Sequence, residues 1–339
     1  MVARWIALWT AWLAAAASNA SSAPRHLVVH VHGISGFGSD LGYLQRALEA
    51  ETSVVVLACA GNEGGLRTFD GIVPGGLRVA REVRQFSSRL PSLETISFVG
   101  NSLGGLYTRQ ALGLLYDDGA ETICGLRPVA LVTTAAPHLG SSRTLWGPLL
   151  RPLAPLVPRW VSGSGRDVFD QSPVLEAMSS EETFLAPLRS FKLRRAYGTT
   201  NGDFMVPMYS ALFTSLSADA LERIGTRLDA GDAPEGGSAV LVPSGTPTPK
   251  PERPLPPREA AVAGALDDVA FDRVLVTFGS PGLLGLPLAH NKLVALERRP
   301  TDPRATLFKG IENTAVGRPV MDGLARWLLA ALREDVVPA

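Results

Sequence analysis

The chain has 339 residues, long enough for one large or two modest domains with a substantial core. Lys and Arg total 32 and Asp and Glu total 32, so overall charge provides no attraction to nucleic acid or to an anionic surface. With 46% apolar and 19% charged residues it is not a solvated, disordered polymer. Two cysteines, Cys59 and Cys124, are too few for a disulfide scaffold or a four-ligand zinc site.

The first acidic residue is Asp40. Before it, Arg4 precedes an uncharged run from Trp5 to Ala17 and a small-residue exit, Ser18 to Pro24. This is the form of a secretory signal peptide, and it predicts residues 1–24 as a leader that directs the protein to the secretory pathway or out of the cell. Retention as an N-terminal membrane anchor and an organellar transit peptide are the alternatives. From residue 26 the pattern becomes regular. His26–His32 reads as a strand, and Asp40 as the cap of a helix carrying Leu41, Leu44, Ala47 and Leu48 on one face. Ser53–Ala58 is a second strand, followed by a helix with Val79, Val83, Phe86 and Leu90 at helical spacing. Thr95–Gly100 is a third strand, running directly into a helix from Leu103 to about Leu115. Pro128–Thr134, Phe191–Tyr197 and Arg273–Phe278 complete six strands, and a last helix includes Met321, Leu324, Trp327, Leu328 and Leu332.

Residues 226–262 interrupt this alternation. Pro243–Pro257 holds seven prolines in 15 residues, which predicts an exposed, extended or disordered insert. Elsewhere, apolar strands alternate with amphipathic helices, so the fold class is α/β, with a mostly parallel sheet covered on both faces. Ligands in such sheets bind beyond the carboxyl ends of the strands.

Gly100-Asn101-Ser102-Leu103-Gly104 is G-x-S-x-G between a strand and a helix, the context of a nucleophile elbow. A sharp turn there lifts the serine hydroxyl out of the sheet, and the Leu103 amide at the helix N-terminus faces a developing oxyanion. A structural turn and a phosphate-binding glycine loop are the competing readings. A serine nucleophile needs a base, and the chain has five histidines: His26, His30, His32, His138 and His290. On this fold the order is Ser, acid, His. His26, His30 and His32 precede Ser102, and His138 leaves little chain for an intervening acid. His290 satisfies both order and placement.

The acid must orient His290 and stabilise its imidazolium. Asp203 follows the fifth strand in Asn201-Gly202-Asp203, which equally reads as an Asx turn. Asp170 is the runner-up, and Asp272 lies at the wrong end of its strand. The second oxyanion donor is expected in the turn after the first strand, His32-Gly33-Ile34-Ser35-Gly36, at the Ile34 amide.

These motifs resemble the serine esterases and lipases of the DUF676 family, within the α/β-hydrolase superfamily. The matching pieces are HLVVHVHGISG with Asp40-Leu41, Thr68-Phe-Asp-Gly-Ile72 with Gly76-x-Arg78, and ISFVGNSLGGLYTRQALG. Thr134-Ala-Ala-Pro-His-Leu-Gly140, Asn201-x-Asp203 with Val206-Pro207, and Ala289-His-Asn291 follow in order. The resemblance implies an α/β-hydrolase fold with Asp203 as acid and His290 as base, leaving His138 as a motif residue near the site. This chain has Asn101 where the family's elbow usually carries histidine.

Between the fourth and fifth strands, about 141–190, lies a cap-like stretch. Its segment Leu145–Trp160 is apolar and broken by Pro148, Pro152, Pro155 and Pro158. It reads equally as a surface for an acyl chain and as core packing. The expected activity is hydrolysis of carboxylic esters of lipids, monoacylglycerols or phospholipids among them, through an acyl-serine. No cofactor or metal is implied. The expected partners are a lipid ester and a membrane or lipid surface, with no nucleic acid. An acyltransferase or thioesterase using the same triad, and a non-catalytic hydrolase-fold module, are the alternatives.

Overall fold

The computed structural model describes residues 23–64, 66–141, 163–169, 173–203, 205–251, 253–279, 288–299, 302 and 313–336. Residues 1–22 of the expected leader, the segment Leu145–Trp160 and Asp170 lie outside the described residues.

Strand β1 (His26–Val31) leads through a 3-10 turn, Gly38–Leu41, into helix α1 (Gly42–Glu49) and then β2 (Val54–Ala58). Asp40 lies inside that 3-10 turn and caps it, its carboxylate accepting the Phe37 N–H, while the residue at the N-cap of α1 is Leu41. A second 3-10 turn, Arg67–Phe69, precedes α2 (Ile72–Ser87); β3 (Thr95–Asn101) and α3 (Leu103–Leu115) follow. The hairpin β4 (Tyr116–Asp117) and β5 (Thr122–Ile123) leads to β6 (Arg127–Thr134). Three helices, α4 (Gly163–Phe169), α5 (Pro173–Ser180) and α6 (Glu182–Ser190), occupy the described part of the cap-like stretch before β7 (Leu193–Thr199). Then come α7 (Met208–Ala211), α8 (Ala218–Ile224), β8 (Thr226–Arg227), β9 (Ser238–Val242), α9 (Pro257–Val269) and β10 (Asp272–Thr277). Helices α10 (Ala289–Leu293) and α11 (Arg318–Val336) close the chain.

Eight strands form one sheet in the order β2-β1-β3-β6-β7-β10-β9-β8. All pairs from β2 to β10 are parallel; β9 and β8 add antiparallel pairing at the far edge. The six strands expected from the sequence are all present. The antiparallel edge was not foreseen, because β8 and β9 fall inside the stretch set aside as an insert. Within that stretch the Pro-rich run between β9 and α9 has no regular structure among its described residues, in keeping with its missing N–H donors, and α9 starts at Pro257, where a proline fits the first helical turn.

Every residue of β1 and β3 is buried, because helices cover both faces. Alternate positions of β1 feed two separate cores. Leu27, Val29 and Val31 pack with Val79 and Val83 of α2 and Leu106 and Leu112 of α3. Val28 packs with Leu44 and Leu48 of α1, Leu293 of α10, and Met321, Leu324 and Leu328 of α11. Strand β1 pairs with β2 on one side and β3 on the other, so the chain reverses direction across the sheet at β1. Ligands bind in the crevice that such a reversal leaves at the strands' carboxyl ends.

The backbones of β1 and α3 approach closely at Gly104. A Cβ built there would lie 2.1 Å from Val31 O and 2.6 Å from His32 O. Both obstacles are buried backbone at and just past the end of β1, which cannot move aside as a side-chain tip can. Gly104→Ala is therefore expected to cost ~3 kcal/mol or more, read as a fall in the urea midpoint without a change in slope. An unchanged midpoint would show that α3 can shift along the sheet.

Candidate active site

The elbow joins β3 to α3. Ser102 has φ 56° and ψ −129°, a conformation that a side chain adopts only when its surroundings enforce it. Strand β6 supplies part of that enforcement through one residue. Thr134 O accepts the Ser102 N–H at 2.8 Å, and Thr134 Oγ1 donates to Asn101 Oδ1 at 3.0 Å. Asn101 thus ties the elbow to the neighbouring strand. Small residues let the turn close: a Cβ on Gly100 would lie 2.6 Å from Gly105 Cα.

The loop after β1 runs beside the serine, since Val31 is in register with Gly100. A Cβ on Gly33 would be 2.7 Å from Ser102 Cβ and 3.1 Å from its Oγ. The Ile34 amide follows Gly33 directly, and the Leu103 amide follows Ser102 at the first turn of α3. The two amides expected to hold an oxyanion are thus each next in the chain to one of the two residues, Gly33 and Ser102, that meet at the elbow. The Ile34 loop is itself braced: Ser35 N–H donates to Thr68 Oγ1 at 2.9 Å, and Tyr107 Oη donates to Thr68 O at 3.1 Å. Thr68 and Thr134 stand in motifs that the sequence reading noted, but their bracing roles depend on contacts between separate elements.

Asp203 and His290 meet. The loop after β7 and the start of α10 are joined by a bridge between Asp203 and Leu288 and by Ala289 N–H to Gly202 O at 2.9 Å. His290 Nδ1 lies 2.8 Å from Asp203 Oδ2. Asp203 Oδ1 accepts the Met205 and Val206 N–H groups at 2.9 and 2.8 Å. The two readings of Asp203 therefore coexist: one oxygen closes the Asx turn and the other receives the imidazole. The pair is buried, with side-chain exposures of 6% for His290 and 3% for Asp203. Burial alone would pull the His290 pKa down; the Asp203 charge and hydrogen bond outweigh it, and the pKa is raised. With Nδ1–H engaged, Nε2 is left as the basic nitrogen.

The other histidines are placed differently. His138 is fully buried against Phe213, with Nε2 3.0 Å from Thr133 Oγ1 and Nδ1 3.4 Å from Arg109 Nη1. Burial, with the Arg109 charge, holds its pKa well below the usual value. It fastens the loop after β6 to α3. Among the described residues neither ring nitrogen of the buried His30 has a partner, and His32 Nδ1 contacts Gly33 O at 2.9 Å. Asp272 accepts the Ser244 N–H and pairs with Arg195, away from any histidine contact. Among the described residues no group of three or more His, Cys, Asp or Glu could hold a metal ion, and Cys59 and Cys124 are unpaired.

The strand order, the reversal at β1 and the strand–elbow–helix unit define an α/β-hydrolase fold. Residues 21–219 match the family described as "Putative serine esterase (DUF676)", and the chain belongs to that family. The match spans Ser102 and Asp203 and ends before His290. The chain is 29% identical over 211 residues to "Putative lipase ROG1" of Saccharomyces cerevisiae, covering 59% of this chain and 30% of that protein. It is 29% identical over 213 residues to "Putative lipase C4A8.10" of Schizosaccharomyces pombe, covering 56% and 26%. The chain thus spans under a third of the length of these relatives. A lipase-esterase related protein from Clostridium acetobutylicum is similar with TM-score 0.34 and 11% identity, covering 56% of this chain and 80% of that one. A structure reported for the metagenome-derived lipolytic enzymes LipS and LipT has TM-score 0.37 and 14% identity, covering 55% and 76%.

Proposed function

We propose that this protein is a serine hydrolase that cleaves carboxylic esters of lipids, monoacylglycerols or phospholipids among them. The observation that carries the reading is the buried Asp203–His290 hydrogen bond, which joins residues 87 apart in sequence. It lies at the end of the sheet where Ser102 occupies its strained turn. Ser102 Oγ attacks the acyl carbon while His290 Nε2 takes the hydroxyl proton. The carbonyl oxygen, now negative, is held by the Ile34 and Leu103 N–H groups. Collapse of this intermediate expels the alcohol, which leaves with the proton from His290. Water activated by His290 then attacks the acyl-serine, releasing the carboxylic acid and restoring the serine. Asp203 holds His290 through Nδ1 and stabilises the imidazolium. The lipid character of the substrate is supported by the lipase names of both curated relatives.

The test is labelling with a serine-directed phosphonate, followed by peptide mass mapping and turnover of an ester series from acetyl to long acyl. The expected result is one adduct, on Ser102, and rates that rise with acyl length. An adduct elsewhere would overturn the assignment of the nucleophile. A preference for acetyl esters would replace the lipid reading with that of a general esterase. Acyl transfer to an added alcohol, exceeding release of free acid, would make the enzyme a transferase.

A further inference from the structure

Among the described residues five large apolar side chains are markedly exposed: Leu66, Val73, Leu77, Leu114 and Phe169. Four of them lie on three neighbouring segments. Leu66 precedes the Arg67–Phe69 turn, Val73 and Leu77 are one turn apart on the outer face of α2, and Phe169 ends α4. These segments are bonded together. Gly71 N–H donates to Ser164 Oγ at 3.0 Å and Ile72 N–H to Asp167 Oδ2 at 2.8 Å, which fastens α4 to the start of α2. Thr68, within the turn, accepts the N–H of Ser35 next to Ile34. The exposed apolar residues are thus carried by the scaffold that braces the oxyanion loop, at the end of the sheet that holds Ser102.

The charges on this scaffold are sorted. Its carboxylates are engaged: the exposed Asp70 pairs with Arg78, Asp167 holds the Ile72 N–H, and Glu82 holds the Ala60 N–H. The arginines beside the apolar residues face solvent: Arg67 next to Leu66, Arg81 one turn beyond Leu77, and Arg166 one turn before Phe169. Among the described residues no carboxylate pairs with any of these three. The even charge balance of the whole chain conceals a local excess of positive charge around an apolar face.

We propose that Leu66, Val73, Leu77 and Phe169, fringed by Arg67, Arg81 and Arg166, dock the protein on a lipid surface that carries anionic headgroups. The inference rests on the lipid-ester reading, and it names the surface from which that substrate is drawn. Apolar side chains enter the boundary between headgroups and acyl chains, and each arginine adds attraction that anionic lipid alone supplies.

The test is co-sedimentation with vesicles of phosphatidylcholine alone and of phosphatidylcholine mixed with an equal amount of phosphatidylserine. The intact protein is expected to favour the mixed vesicles. Val73→Asp with Leu77→Asp should lower partitioning to both by roughly tenfold or more. Arg81→Glu with Arg166→Glu should remove the preference for phosphatidylserine. Turnover of a water-soluble acetyl ester should be unaltered in both double variants, which also shows that they fold. Unchanged partitioning of the aspartate variant would overturn the docking face while leaving the esterase reading standing. If that variant instead turned a dimer into a monomer, the face would be a self-association surface. Failure of the intact protein to turn over any ester would sink the catalytic reading, a result that vesicle binding does not affect.

Discussion

Ser102→Ala is expected to lower kcat/KM by a factor on the order of 10⁶, and Asp203→Asn by about 10⁴. The first removes the atom that carries the acyl group. The second is the more informative, because Asp203 has two separable duties. An amide at position 203 can still accept the Met205 and Val206 N–H groups through Oδ1, so the turn survives. What is lost is the charge facing His290 Nδ1. An amide NH₂ in the place of Oδ2 donates instead of accepting, which favours the tautomer with the proton on Nε2. That nitrogen then cannot take the proton from Ser102.

The pH dependence supplies a second readout. Because Asp203 raises the His290 pKa, the acid limb of kcat/KM should have its midpoint above 6.5, with activity lost as pH falls through it. Asp203→Asn should move that limb to lower pH, since burial would then act alone. Initial rates on a soluble acetyl ester from about pH 5 to about pH 9 measure both effects. Full activity in Asp203→Asn would mean that another acid orients His290, Asp170 being the first to examine.

Acidification is expected to destabilise the fold well before carboxylates titrate. Burial holds His26 and His30 down to about 3, against an unfolded value near 6.5. Between these values the unfolded chain binds protons that the native state refuses. The stability these groups contribute is complete above pH 6.5 and is lost as pH falls below it. By pH 5 the loss is roughly 2 kcal/mol for each, a large share of an ordinary domain's stability. His32 and His138 also have lowered pKa values and act in the same direction. His290, with a raised pKa, opposes them: its contribution is complete below 6.5 and fades as pH rises through its folded value.

His30 offers the cleanest test, since among the described residues neither ring nitrogen has a partner to lose. His30→Leu should leave stability at pH 7.5 nearly unchanged and reduce the acid slope by about 1.4 kcal/mol per pH unit. Urea unfolding at pH 7.5, 6 and 5 for both proteins is the measurement. A flat profile in the intact protein would show that His30 is protonated or solvated in the native state.

Much of the elbow was legible locally. Residues 95–115 carry a β-type run, G-x-S-x-G and a helical run in immediate succession, and no distant contact is needed to read them. His290 followed from chain order, because only five histidines exist and three precede the serine. Less of the periphery was readable. Strands β8 and β9 are short and join the sheet through backbone bonds of β9 to β10 and of β8 to β9, and their neighbouring prolines disguised them as part of a loop. His138 resisted local assignment, since a buried imidazole between Thr133 and Arg109 has the same sequence context as an exposed one.

The sequence by itself determined the α/β alternation, the six principal strands, the turn that bears Ser102 and the pool of histidines from which a base could come. These follow from periodicity and turn chemistry, which are properties of near neighbours along the chain. Tertiary structure alone decided that Asp203 Oδ2 meets His290 across 87 residues, that Thr134 and Thr68 brace the elbow and the Ile34 loop, and that four exposed apolar residues share a scaffold with arginines that pair with no carboxylate among the described residues. Each depends on which elements pack together and in what register, and residues distant in the chain carry no local signal of where that packing will bring them.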